Sequence, residues 1–140
     1  MAGARRSGRE AALQMLFQME ATGTSADETI ALFWRAFESD PEGKTYADDL
    51  VRGVAAGREE IDAALAAASE NWRLDRMTRL DRNLLRLAAY ELMKRPDVPT
   101  PVILDEAVEL AKSFGTAESG AFVNGVLAQV ARSVGRVTQK

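Results

Sequence analysis

The sequence predicts an all-α protein. Apolar residues recur at three- and four-residue spacing in six separate stretches. Helix-starting and helix-stopping residues bracket most of them, and no segment alternates apolar and polar residues with a period of two.

The first helix is expected over about Ser7 to Ala21, where Ser7 and Glu10 have the spacing of a capping box and Leu13, Leu16 and Phe17 follow. Gly23 stops it. Ser25 and Glu28 repeat the box, and Ile30, Phe33, Trp34 and Phe37 form the apolar stripe of a second helix that ends before Asp40-Pro41. A long third helix is expected from about Thr45 to Glu70, with Leu50, Val54, Ile61 and Leu65 on its buried face. Gly53 and Gly57 would each cost it about 1 kcal/mol relative to alanine, which suggests a close helix crossing there. Trp72, Leu74 and Met77 fall in the connection that follows.

Thr78 and Asp81 open a fourth helix, carried by Leu80, Leu84, Leu85, Leu87, Ala88 and Leu92 and stopped at Arg95-Pro96. The three prolines of 96–101 make a stiff linker. Thr100 is placed to cap a fifth helix with Pro101 at its first position, and Ile103, Ala107, Leu110, Ala111 and Phe114 line it. Gly115 breaks the pattern. A sixth helix is lined by Phe122, Val123, Val126, Leu127, Val130 and Val134, and the chain is expected to fray over 136–140.

Composition narrows the chemistry. At 140 residues, 46% hydrophobic and 28% charged, the chain fits one globular domain with its own core. No apolar run approaches the roughly 20 residues that span a bilayer, and the amino terminus has no apolar signal region. A cytoplasmic protein with no membrane association is expected. The chain has no Cys and no His, which excludes disulfides, zinc-thiolate sites and the commonest general base, so neither a metal nor a cofactor is expected. Any catalysis would rest on carboxylates, Lys, Ser or Tyr.

Net charge is −3, yet fourteen of the eighteen basic residues are Arg, the planar donor suited to phosphates and base edges. Arg5, Arg6 and Arg9 lie in the first nine residues, before any acid. Cations at a helix start oppose the macrodipole, so the cluster is either a solvated arm or a phosphate contact. Arg73, Arg76, Arg79, Arg82 and Arg86 form a second basic stretch. Asp75 and Arg79 have ion-pair spacing, whereas Arg82 and Arg86 are spaced to repel; this stretch reads as structural or solvated, or as a further ligand surface.

The hinge between the last two helices, Gly115 to Ala121, collects small and polar residues beside Phe122. From spacing alone Phe122 reads as core, Gly125 as a close-packing glycine, and Asn124 as a buried amide that needs partners. Glu118 and Ser119 could simply cap the sixth helix. Nothing here forms a nucleophile–base pair or a phosphate-cradling loop.

Three segments together resemble the NusB family of transcription antitermination factors: ARRSGREAALQMLFQME at the start, LDRMTRLDRNLLRLAAYEL in the middle, and RPDVPTPVILDEAVELAKSFGTAESGAFVNGVL near the end. The third is the most specific, because linker, helix, SFG break and FVNGVL run follow in register. The resemblance implies a single domain over 1–140 of two packed three-helix subdomains, an amino-terminal half of about 7–72 and a carboxy-terminal half of about 73–135, divided near Trp72. It implies a non-enzymatic protein that binds the boxA element of nascent ribosomal RNA leaders with NusE, a small-subunit ribosomal protein, within an RNA polymerase antitermination complex.

Carried over by residue, the resemblance puts Arg5, Arg6 and Arg9 on the RNA, makes Glu118, Ser119 and Phe122 a second RNA-contacting element, sets Arg73 and Arg76 at the border of the RNA groove, and places Asp81 near the NusE surface. Ser7 stands where many members carry another basic residue, and Gly120-Ala121 replaces bulkier polar residues. Affinity for RNA alone is therefore expected to be weak, with NusE supplying basic surface. Glu118 cannot favour phosphate but could accept hydrogen bonds from base amino groups. Other readings remain: an RNA-guiding module of an RNA-modifying system, a small helical enzyme with an Arg-lined pocket, or a self-associating bundle that forms a homodimer.

Overall fold

The computed structural model describes residues 2–69, 74 and 77–136. Among these, seven helices and no strand are present: α1 (Ala2–Thr22), α2 (Ala26–Ala36), α3 (Pro41–Ala56), α4 (Arg58–Ala68), α5 (Arg79–Lys94), α6 (Thr100–Phe114) and α7 (Ala117–Ser133). The all-α expectation holds. The chain divides into two compact units, residues 1–56 with α1–α3 and residues 57–140 with α4–α7. Trp72, where the halves were expected to divide, lies outside the described residues.

Three expected boundaries are corrected. The first helix starts at Ala2 rather than Ser7, so Ser7 is an exposed residue inside α1 and caps nothing. Only Gly3 disfavours a helix between Ala2 and Arg6, and α1 runs through it; a box-like spacing inside such a run carries no stop signal of its own. The second helix already ends at Ala36, and Asp40-Pro41, expected only as its stop, starts α3 four residues before the expected Thr45. The Asp40 carboxylate accepts the Gly43 N–H at 2.7 Å, with Pro41 in the first turn, where its missing N–H costs nothing. Finally, the expected helix of 45–70 is two helices. Gly57 leaves helical geometry at φ −104°, ψ 20° and separates α3 from α4, a break that apolar periodicity on both sides conceals.

In the first unit Ala12, Met15 and Leu16 of α1 meet Ala47, Leu50, Val51 and Val54 of α3, all buried. The two helices approach closely at paired glycines. A Cβ on Gly8 would lie 2.9 Å from the Gly43 carbonyl oxygen and 3.3 Å from the Ala47 nitrogen, and a Cβ on Gly43 would lie 3.1 Å from the Ala4 carbonyl oxygen. Ser25 caps α2 by accepting the Glu28 N–H, as its spacing predicts, and Gly23 takes a left-handed φ of 77° after α1. The aromatic stripe of α2 is only partly covered. Phe33 packs edge-on to Trp34 at 4.9 Å, Trp34 donates its indole N–H to Asp48 at 2.8 Å, and Phe37 is 52% exposed.

In the second unit α5 is buried along most of its length, its polar Asn83, Arg86 and Glu91 included. Leu84, Leu85, Leu87, Ala88, Ala89 and Leu92 are buried, together with Ile61 and Leu65 of α4, Ile103, Ala107, Leu110 and Ala111 of α6, and Val123, Val126, Leu127, Val130 and Ala131 of α7. Helix α5 lies at the centre of its unit, packed against α4, α6 and α7. Two arginines are built into this core. Arg86 is buried and grips Asp62 with two hydrogen bonds of 2.8 and 3.1 Å. Arg136, expected in the frayed tail, instead donates to the carbonyls of Glu91, Leu92, Arg95 and Val98 and to the Thr100 hydroxyl at 2.6–3.3 Å. These carbonyls lie at the end of α5 and in the proline linker, where helical partners run out, although Glu91 still accepts the Arg95 N–H.

The two kinds of glycine predict opposite outcomes. Gly8→Ala should lower stability by about 1–3 kcal/mol, because the obstructing atoms are backbone. Gly125→Ala, where nothing lies within 4 Å of an added Cβ, should raise it by about 0.5–1 kcal/mol through helix propensity. Urea unfolding of the two variants measures both signs.

Candidate nucleic-acid interface

In the first unit the sequence-predicted arginines sit within the first turns of α1. Arg5 and Arg9 are four residues apart and so share one face, which turns towards α3. The guanidinium carbons lie 4.9 Å (Arg5) and 5.3 Å (Arg9) from the centroid of the Tyr46 ring, and the Tyr46 hydroxyl accepts a hydrogen bond from Arg9 Nη2 at 3.3 Å. Arg9, expected on the RNA with its neighbours, is only 3% exposed; Arg5 is half-buried and Arg6 is exposed. The solvated-arm reading is thereby replaced by an ordered helical turn seated on an aromatic ring. Tyr46 itself carried no sequence signal, since nothing in its own neighbourhood marks a partner 37 residues upstream.

In the second unit, Met77, Thr78, Asp81, Thr116, Glu118, Ser119 and Phe122 line an open cleft of about 390 Å³. Two helix starts form it. Thr78 caps α5 by accepting the Asp81 N–H at 3.1 Å, and Thr116 caps α7 by accepting the Ser119 N–H at 3.1 Å. The Thr116 cap was missed in the sequence, where Glu118 and Ser119 were the candidates for that role. Both helix starts carry a carboxylate in the first turn, Asp81 and Glu118, where the macrodipole favours negative charge. Gly115 holds the hinge together: a Cβ there would lie 2.9 Å from the Ala111 carbonyl oxygen, 3.0 Å from Leu80 Cδ2 and 3.1 Å from Ser119 Oγ.

The hinge residues sort differently from their expected places. Phe122 is half-buried and lines the cleft rather than filling the core. Asn124, expected as a buried amide, is exposed, and so is Gly125, where an added Cβ would meet no atom of the described residues within 4 Å. Both are turned outward because Val123, Val126 and Leu127 occupy the buried face of α7. Gly120 is the hinge glycine that is buried, with Lys112 and Val108 in ordinary contact distance of an added Cβ.

Chemically the cleft is rich in acceptors. Two carboxylates and three hydroxyls surround an aromatic ring and a methionine, and no cation is among the described lining residues. One buried Asp81 carboxylate oxygen has no hydrogen-bond partner among the described residues. A phosphate would be repelled here, whereas a planar group bearing N–H donors would be stacked and hydrogen-bonded. Asp81 is thus brought into one cleft with Glu118, Ser119 and Phe122, although the sequence resemblance assigned it to a protein surface.

Arg73 and Arg76 lie outside the described residues. The rest of that basic stretch is largely structural. Arg82 closes the turn before α5 by donating to the Leu74 and Met77 carbonyls, both at 2.9 Å, and Arg86 pairs with Asp62. Their spacing suggested repulsion, but each is directed to a different acceptor. Among the described residues no cluster of carboxylates could hold a metal ion, and no helix is long and apolar enough to cross a membrane.

The NusB family model matches residues 6–132. The chain belongs to the NusB family. It is 62% identical over 135 residues to the transcription antitermination protein NusB of Sorangium cellulosum, covering 96% of both chains. It is 51% identical to that of Myxococcus xanthus, covering 92% of this chain and 95% of the relative. Among solved structures, T. maritima NusB has a TM-score of 0.82 at 37% identity, covering 91% of this chain and 90% of that one. The crystal structure of antitermination factors NusB and NusE in complex with dsRNA has a TM-score of 0.81 at 26% identity, covering 95% of this chain and 99% of that one.

The two cap residues generate a stability prediction that separates scaffold from ligand contact. Thr116→Ala should cost about 1 kcal/mol through loss of the α7 cap, as should Thr78→Ala for α5. Thermal unfolding of both variants checks this.

Proposed function

We propose that this NusB-family chain is a transcription antitermination factor that binds the boxA element of nascent ribosomal RNA leaders in complex with NusE, within an antiterminating RNA polymerase complex. The observation that carries the RNA reading is the acceptor-lined cleft at the start of α7, in which Phe122 lies beside Glu118, Ser119 and Asp81. That chemistry fits an unstacked base with exocyclic amino groups. A relative of the same fold, in complex with NusE and double-stranded RNA, supports both partners.

Two kinds of contact divide the work. Arg5 and Arg6 supply phosphate contacts, with salt-dependent and sequence-independent affinity. Glu118, Ser119 and Phe122 read bases by hydrogen bonding and stacking. Asp81 serves at the same cleft, either for the RNA or for NusE bound beside it. Arg73 and Arg76 are assigned to the border of the RNA surface on the family resemblance, and Arg9, buried beneath its neighbours, supports the phosphate contacts from within. No chemical step is required of any residue, in keeping with a binding protein rather than an enzyme.

The test is a titration of boxA-containing and scrambled RNA, with and without NusE, across salt. Arg5→Ala/Arg6→Ala should weaken both RNAs and lower the slope of log affinity against log salt by roughly 0.7 for each phosphate no longer neutralised. Phe122→Ala should cost about 1–3 kcal/mol of boxA affinity. Glu118→Ala should narrow the gap between boxA and scrambled RNA. Wild-type protein that binds the two RNAs equally under all conditions would sink the reading.

A further inference from the structure

The packing of α1 on α3 that buries Arg9 also engages Arg5, and it shapes the phosphate-binding face. Two guanidinium groups four residues apart on one helix face repel one another, and Arg5 stands near the positive end of the α1 macrodipole. Helix stability alone would not select that arrangement. Tyr46, 5% exposed, offsets it by presenting the negative face of its ring to both cations, at 4.9 and 5.3 Å, while its hydroxyl accepts from Arg9.

We infer that Tyr46 is a positioning residue for RNA binding: its ring holds the half-buried Arg5 in the orientation that meets phosphate, and Arg9 braces the ring from the buried side. The inference rests on the proposed RNA-binding role of Arg5. Arginine loses much rotamer freedom when it is immobilised on a ligand. A side chain already held against a ring has less left to lose, and that difference emerges as affinity. The ring does this without touching RNA. It also does so without reading sequence, since it acts through a phosphate contact.

The chain makes this possible through the glycine pair beneath it. A Cβ on Gly8 would lie 3.2 Å from Tyr46 Cβ, so the ring begins directly against the turn that carries the arginines. A larger residue at position 8 would lift α1 from α3 and with it both guanidinium groups from the ring. Lys44, on the same helix as Tyr46, lies 5.5 Å from the Trp34 ring centroid, and the Trp34 indole is in turn bonded to Asp48. That second cation–ring pair uses a different cation and a different ring from the Arg5–Tyr46 contact.

The experiment replaces Tyr46 by phenylalanine and by a series of increasingly fluorinated phenylalanines, which drain the ring of negative charge while nearly preserving its size. Binding to boxA-containing and scrambled RNA oligonucleotides is measured across salt, in the wild-type and Arg5→Ala backgrounds. Tyr46→Phe should keep most of the affinity. Fluorination should then weaken both RNAs alike and stepwise, to a total of roughly 3- to 20-fold, with a shallower salt dependence. In the Arg5→Ala background the series should be flat. A purely structural Tyr46 would give no such graded, Arg5-dependent series. No effect of fluorination, or an equal effect without Arg5, overturns the inference while leaving the RNA reading intact. An Arg5→Ala variant with unchanged RNA affinity and salt slope overturns both.

Discussion

The first unit depends on one steric constraint, the approach of α1 to α3 at Gly8 and Gly43. Backbone meets backbone there, so neither position has room for a side chain. This close seating buries Ala12, Met15 and Leu16 against the α3 core, and the same geometry puts the Tyr46 ring beside Arg5 and Arg9. Packing and electrostatics are therefore not separate features of this face. The contact that excludes water from the helix pair is the one that gives two like-charged side chains a common, polarisable neighbour. A basic cluster that would otherwise be a mobile arm becomes a surface of defined shape, and defined shape is what distinguishes recognition from charge attraction.

Arginine serves three purposes in this chain, and composition alone could not separate them. Arg86 neutralises a carboxylate inside the second unit, where its planar fork matches Asp62 in two hydrogen bonds. Arg82 and Arg136 act as caps, collecting main-chain carbonyls at a turn and at the end of α5. Arg5 and Arg6 stay near the surface, within reach of an external anion. The arginine enrichment of an acidic chain is thus only in part available for the proposed nucleic-acid contact. Much of it is internal wiring that a lysine, with a single point charge, would perform less well.

The cleft of the second unit resolves a different ambiguity. Two helix starts converge, each capped by a threonine and each carrying a carboxylate in its first turn. Capping accounts for the threonines and the macrodipole makes both acids tolerable. Neither explains a half-buried phenylalanine beside a buried carboxylate oxygen that has no partner among the described residues. That combination has the character of a binding edge, in which an aromatic face offers stacking and acceptors surround it.

The helices themselves were legible because periodicity is a local property. The stretches ending at Gly23, Arg95 and Gly115 fall where caps and prolines place them. What failed was continuity: Gly57 divides an apolar pattern that reads as unbroken, and Asp40-Pro41, expected as a stop, begins the next helix, so that α3 starts earlier than its apolar residues announce. The family resemblance supplied Glu118, Ser119 and Phe122, but spacing alone placed Phe122 in the core and Asn124 among buried partners. A helical period says which residues share a face without saying which face is covered. Only the packing of Val123, Val126 and Leu127 decided that. In the same way the sequence determined by itself that arginines crowd the first turns of α1, while their seating on Tyr46, the burial of Arg9 and the gathering of Asp81 into the hinge cleft were decided by tertiary structure, because each depends on groups far apart in the chain whose approach is set by helix packing.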